Sequence, residues 1–146
     1  MAIVHQVISI ETHRSIELVD LSAQVQSVVS SSGIQSGQVL VFSRHTTTAL
    51  AINEYEERLL VDIETYLKKL APERATYLHN DLHLRKDVPD DEPINAHSHL
   101  MAMTLHNSET IPVVDGKLAL GTYQSVLLCE LDGPRKRTVS VQVSGE

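Results

Sequence analysis

Val39-Leu40-Val41-Phe42-Ser43-Arg44-His45-Thr46-Thr47-Thr48-Ala49-Leu50-Ala51-Ile52-Asn53-Glu54 runs from an apolar block, through a histidine and three threonines, to Asn-Glu. The block at Gly37 to Phe42 lacks polar alternation, which predicts a strand covered on both faces. Thr fits a pleated surface better than a helix, so Thr46 to Ile52 is expected to continue extended. The pattern then changes period. Across Tyr55 to Leu70, Leu59, Leu60, Ile63, Leu67 and Leu70 recur at helical spacing, and Pro72 marks the end. Asn53 stands where it can cap this helix. Strand, strand and helix in succession predict a mixed fold. A titratable side chain at the end of a buried strand makes His45 a first candidate for chemistry.

Toward the N-terminus, Ala2 to Ile10 is rich in Val and Ile and reads as a strand, with a second short one over Ser15 to Val19. Asp20 is placed to cap a helix carrying Leu21, Val25, Val28 and Val29, and Gly33 is placed to stop it in the left-handed conformation. Toward the C-terminus, residues 85–93 are charged and proline-bearing and read as a surface loop. Asn95 is a candidate cap for a helix through about Leu105. From Thr110 onward strands dominate, with Asp115-Gly116 a two-residue hairpin signal. Tyr123 to Leu131 and Arg135 to Val143 read as the last two strands, with Val139, Val141 and Val143 alternating with polar residues. The expected architecture is a single α+β domain over 1–146, of antiparallel sheets with two or three helices.

The composition narrows the function classes. A net charge of −7 argues against nucleic acid or an anionic membrane as partner, because both require clustered cations. No apolar stretch approaches membrane-span length and the N-terminus lacks a signal pattern, so the expectation is a cytoplasmic protein. The single cysteine, Cys129, lies in an apolar run and reads as a core residue. Eight histidines form the compositional oddity, five of them between His79 and His106.

Imidazole is a common zinc ligand, and three protein donors with an open position is a catalytic pattern. His97 and His99 are two apart, so on a helix they point about 200° from each other and cannot both face one ion. No spacing here matches a known zinc motif. A second candidate is Glu130-Leu131-Asp132-Gly133-Pro134-Arg135-Lys136-Arg137, which places carboxylates and cations around a tight turn. Arg135 can present its fork to a phosphate there, with Glu130 orienting it or moving a proton. In a third stretch, Gly121-Thr122-Tyr123-Gln124, the glycine allows close approach of a ligand or backbone.

Several of these blocks, in order, resemble the YjbQ family. They are His45-Thr46-Thr47-Thr48-Ala49-Leu50 with Asn53-Glu54, His79-Asn80, Asn95-Ala96-His97-Ser98-His99-Leu100, Ile111-Pro112-Val113 with Asp115-Gly116-Lys117-Leu118, Leu120-Gly121-Thr122-Tyr123-Gln124, and Glu130-Leu131-Asp132-Gly133-Pro134-Arg135. The resemblance implies a β-rich domain assembled as a homotrimer, with sites near subunit contacts. It implies a modest thiamine-phosphate synthase-type activity that joins a pyrimidine pyrophosphate to a thiazole phosphate. On that reading His45, His79 and His99 hold a divalent metal, zinc or, for the transferase reaction, magnesium. Asn53, Asn95, Gln124, Arg135 and Arg137 contact a small phosphorylated substrate, and Glu130, Arg135 and His45 carry catalysis. The competing expectations are a non-catalytic trimeric metal- or anion-binding module and a metal-dependent hydrolase. Tyr123 stands where the family commonly has Trp, the 85–93 loop is longer and more acidic than usual, and no role is carried onto His83, His97 or His106.

Overall fold

A computed structural model describes residues 1–146. Eight strands and three α-helices follow in the order β1 (Ala2–Glu11), β2 (Glu17–Asp20), α1 (Ser22–Ser32), β3 (Ser36–Ser43), β4 (Thr48–Asn53), α2 (Glu57–Leu70), α3 (Ala96–Thr104), β5 (Ser108–Val114), β6 (Lys117–Leu118), β7 (Ser125–Glu130) and β8 (Lys136–Gly145). Two 3-10 turns, Leu78–Asn80 and Leu82–Leu84, lie between α2 and α3. The fold is α+β, as expected.

The strands form two antiparallel sheets, one ordered β1-β8-β3-β5-β6 and the other β2-β7-β4. Two hydrophobic clusters explain the layering. In the first, α1 and the inward faces of β3, β5 and β8 close over Leu50, Val126 and Leu128 of the smaller sheet. In the second, Ala49, Leu127 and Cys129 on the opposite face of that sheet meet Leu67 of α2 and Met101 of α3. The smaller sheet is therefore the middle layer. Its central strand β7 is buried from Val126 through Glu130, which is what covering both faces does to a strand.

Burial on both faces had been expected of β3. There the structure differs: Val39, Val41 and Ser43 are buried while Phe42 is 41 % exposed, because β3 lies in the outer sheet with one face bare. Thr46 and Thr47 form a turn rather than continuing the strand, and β4 starts at Thr48. Asn53 does not cap α2; it closes on its own neighbour, accepting from the Glu54 N–H. Glu56 caps instead, accepting from the Leu59 N–H at 2.6 Å. Asn95 holds the N-cap position of α3 but turns its side chain elsewhere. The Asp115-Gly116 hairpin forms with both residues at positive φ, and Gly33 ends α1 at φ 74°. No helix is long and apolar enough to cross a membrane.

Candidate functional site

The pairing of β4 with β7 sets Thr48 opposite Glu130 and Asn53 opposite Ser125. Three segments of the chain meet at the Thr48–Glu130 end: the His45–Thr47 turn, the start of α3, and the Glu130–Arg135 turn. The Leu131 N–H bonds the Thr47 carbonyl, and the Ser98 hydroxyl bonds the Leu131 carbonyl at 2.6 Å. These two bonds place α3 beside the turn.

Beneath that junction lies Glu130, fully buried. Its carboxylate accepts from the Thr12 hydroxyl at 2.6 Å, from Arg137 Nε at 2.8 Å and Nη2, and from the backbone N–H groups of Leu131 and Asp132. Burial alone would push this carboxyl up, but the bonds from Arg137, Thr12 and the Asp132 N–H outweigh it and hold Glu130 below the usual carboxylate range. Arg137, expected as a second phosphate donor, is only 3 % exposed, and its Nη2 also bonds Thr47 Oγ1 at 2.9 Å. The reason is register: Arg137 shares its inward face with Val139, Val141 and Val143 of β8. Glu130, expected to move a proton, has its oxygens occupied by five donors. Both residues brace the site from inside. Gly133 belongs to the same packing, since a Cβ there would run into the Arg14 carbonyl and Glu130 Cγ.

The bonds from Glu130 to the turn's backbone fix Asp132. Its Oδ2 accepts from Asn95 Nδ2 at 2.7 Å and from Arg135 Nη2 at 2.8 Å. Arg135 Nε bonds the Asp132 carbonyl, and the side chain is otherwise exposed, so its remaining N–H groups are free for an anion. From the sequence alone Asp132 is only one charge of the turn. Its role as the link between Asn95 and Arg135 depends on a contact 37 residues apart in the chain.

His79 and His99 come together, edge to face, with ring centroids 4.8 Å apart. The Asn80 side chain helps by accepting from the Ala96 N–H, tying the 3-10 turn to the start of α3. Burial lowers the His99 pKa and His79 lowers it further, against opposing pulls from Asp132, Glu92 and the Thr46 backbone. His45 has a partner of its own. Its Nε2 accepts from the Thr138 N–H at 3.0 Å, which puts the proton of the neutral ring on Nδ1. Burial is again the first cause of its lowered pKa, followed by Arg137.

The expected metal set thus assembles in part. No three His, Cys, Asp or Glu side chains converge as an ion-binding group. Zinc would find two adjacent imidazoles here and a third already bonded to a strand. Asn53 and Gln124 are also elsewhere: they lie at the far end of β4 and β7, roughly 17 Å along the strands from Thr48 and Glu130. Gln124 there accepts from the Gly121 N–H in an exposed loop. His97 faces away from His99, as their two-residue spacing requires.

Three buried side-chain polar atoms have no hydrogen-bond partner: His79 Nε2, Asn95 Oδ1 and His97 Nδ1. All three fall at the start of α3 and the 3-10 turn bonded to it. Buried polar atoms are normally satisfied, so His79 Nε2 and Asn95 Oδ1 are open to a partner from outside the chain, a water or a ligand group, while His97 lines a separate cavity.

Comparison with known proteins agrees with this architecture across the whole chain. Residues 6–146 match the family model described as UPF0047 protein YjbQ-like. A UPF0047 protein of Methanothermobacter thermautotrophicus is 44% identical over 146 residues, covering 100% of this chain and 95% of the relative. A crystal structure of a YbjQ-like protein of unknown function from Sulfolobus solfataricus superposes with a TM-score of 0.90 at 38% identity, covering 99% of each chain. A hypothetical protein from Aeropyrum pernix gives 0.87 at 35% identity, covering 97% of this chain and 98% of that one. With sequence and fold matching from end to end, the chain belongs to the UPF0047, or YjbQ-like, family.

Proposed function

We propose that the protein is a transferase of the thiamine-phosphate synthase type, taking its phosphorylated substrates where His79, Asn95, His99, Asp132 and Arg135 meet. The observation carrying this reading is the gathering of orphaned buried polar atoms beside a cation with free N–H groups. In the reaction the thiazole nitrogen bonds to the pyrimidine methylene carbon. The carbon–oxygen bond to pyrophosphate breaks, and pyrophosphate leaves with the electron pair. Arg135 stabilises charge on that leaving group, and Asp132 holds Arg135 in place while Asn95 holds Asp132. His99, whose pKa burial lowers, and His79 add ring nitrogens as donors or acceptors. A divalent cation would supply further charge neutralisation, but the two imidazoles fall short of a three-donor set and no step is assigned to one.

Asn53 and Gln124 enter this reading from a neighbouring subunit of a homotrimer. Within one chain they lie at the wrong end of the sheet, so on this reading the far end of one subunit meets the site of the next.

The test is incubation of the purified protein with a pyrimidine pyrophosphate and a thiazole phosphate, with chromatographic detection of the joined product. Product is expected from the parent and not from His99→Ala. The free N–H groups of Arg135 also suit a second reading, an anion-binding module without turnover. Saturable substrate binding with no product would establish the module instead.

A further inference from the structure

A cavity of about 570 Å³ is lined by the Asp132–Gly133 turn, the C-terminal end of α2 with the residues after it, and the start of α3. We infer that it is a second ligand site, for a small organic anion with an apolar body, a carboxylate or a phosphate monoester. Its size falls in the range of small-molecule pockets, roughly 300–1,000 Å³. Ile16, Met101 and Leu131, all buried, line it, and Ile94, also lining it, is 53 % exposed. An apolar wall with one exposed apolar side chain gives an apolar group something to cover.

The cations are Lys68 and Arg74, and His97 lines the cavity with them. The acidic groups are Glu73 and Asp132. Asp132 is already engaged by Asn95 and Arg135. Lys68 pairs with Glu64 at 3.2 Å, but Arg14 takes the same carboxylate at 2.9 Å, so one negative charge is divided between two positive ones. Glu73 is thus the only carboxylate of the cavity without a partner, against Arg74 and the incompletely balanced Lys68. His97 adds the unsatisfied Nδ1, a polar group buried next to the same space. Charged groups around an apolar wall favour an amphipathic anion over either a bare ion or a neutral hydrocarbon.

Asp132 is the one residue this site shares with the transferase reading, whose other members, His79, Asn95, His99 and Arg135, lie outside the cavity lining. The experiment titrates the full-length protein with phenyl phosphate, and separately with inorganic phosphate and with phenol, followed by amide chemical shifts. Phenyl phosphate is expected to saturate and to shift residues around Pro72, Ile94 and His97, with each half-molecule binding about tenfold more weakly. Lys68→Met/Arg74→Gln, which alters exposed side chains, is expected to weaken phenyl phosphate about tenfold. His99→Ala, at a side chain outside the cavity lining, is expected to leave this binding unchanged. Absence of saturation at concentrations on the order of 10 mM would overturn the site. So would loss of binding in His99→Ala with retention in the double variant, or equal affinity for inorganic phosphate.

Discussion

Arg137 grips the Glu130 carboxylate from both Nε and Nη2, in an ion pair whose side chains are 4% and 0% exposed. The pair also carries the backbone of the Leu131–Asp132 turn, so the core and the candidate site share one carboxylate. Glu130→Gln would leave a buried guanidinium without its counter-charge, and a loss of about 3–5 kcal/mol is expected in urea unfolding. Glu130→Gln/Arg137→Met should recover part of that loss. If the single variant unfolds at the parental midpoint, the pair does not brace the fold.

Arg135→Ala tests the opposite kind of arginine. This side chain is largely exposed and paired only with Asp132, so stability should change by less than about 1 kcal/mol. Activity on phosphorylated substrates should fall at least about tenfold, through a higher substrate requirement. Parental turnover at every substrate level would remove Arg135 from the phosphate site.

The histidines separate into two groups for metal binding. In a zinc titration followed by calorimetry, His45→Ala should leave any affinity unchanged, because its Nε2 already receives the Thr138 N–H. His79→Ala and His99→Ala should each reduce it. A His45→Ala variant that loses zinc alone would reverse this assignment.

Stability should depend on pH through His45 and His99. Both have pKa values lowered from 6.5 in the folded chain, first by burial. The unfolded chain therefore binds more protons just below pH 6.5, so stability is complete above that value and falls as the pH drops through it. Glu130 acts at lower pH: its depressed pKa means stability present above 4.5 is lost as the pH falls further. Denaturation midpoints from pH 7.5 to 5 should decline in the parent and flatten in His45→Gln/His99→Gln. An unchanged slope in that double variant would show that other groups control the decline.

The shared-pocket reading makes a mixing prediction. His99→Ala and Gln124→Ala should each be inactive alone. Unfolded together and refolded as mixed trimers, they should regain about one quarter of the sites, the fraction in which intact His99 and intact Gln124 face each other across a contact. No recovery in verified mixed trimers would place Gln124 outside the neighbour's site.

The sequence alone determined the features that depend on neighbours in the chain. Leu59 to Leu70 announced α2, Asp115-Gly116 the hairpin, Gly33 the end of α1, and the Val139–Val143 alternation the face of β8. The two-residue spacing of His97 and His99 was enough to send them to different places. Only the tertiary structure decided which apolar run is covered twice. Both β3 and β7 read as continuous apolar blocks, and the order of strands in two layers is what buried β7. It also decided the fate of the charged turn. Glu130, Asp132, Arg135 and Arg137 look equivalent in sequence, yet strand register turns Arg137 inward beside Val139 and leaves Arg135 outside. Partners such as Thr12 for Glu130, Asn95 for Asp132 and Thr138 for His45 lie far away in the chain. Such pairs form only once the sheets have closed, because their bonds gain strength from the burial that closure creates.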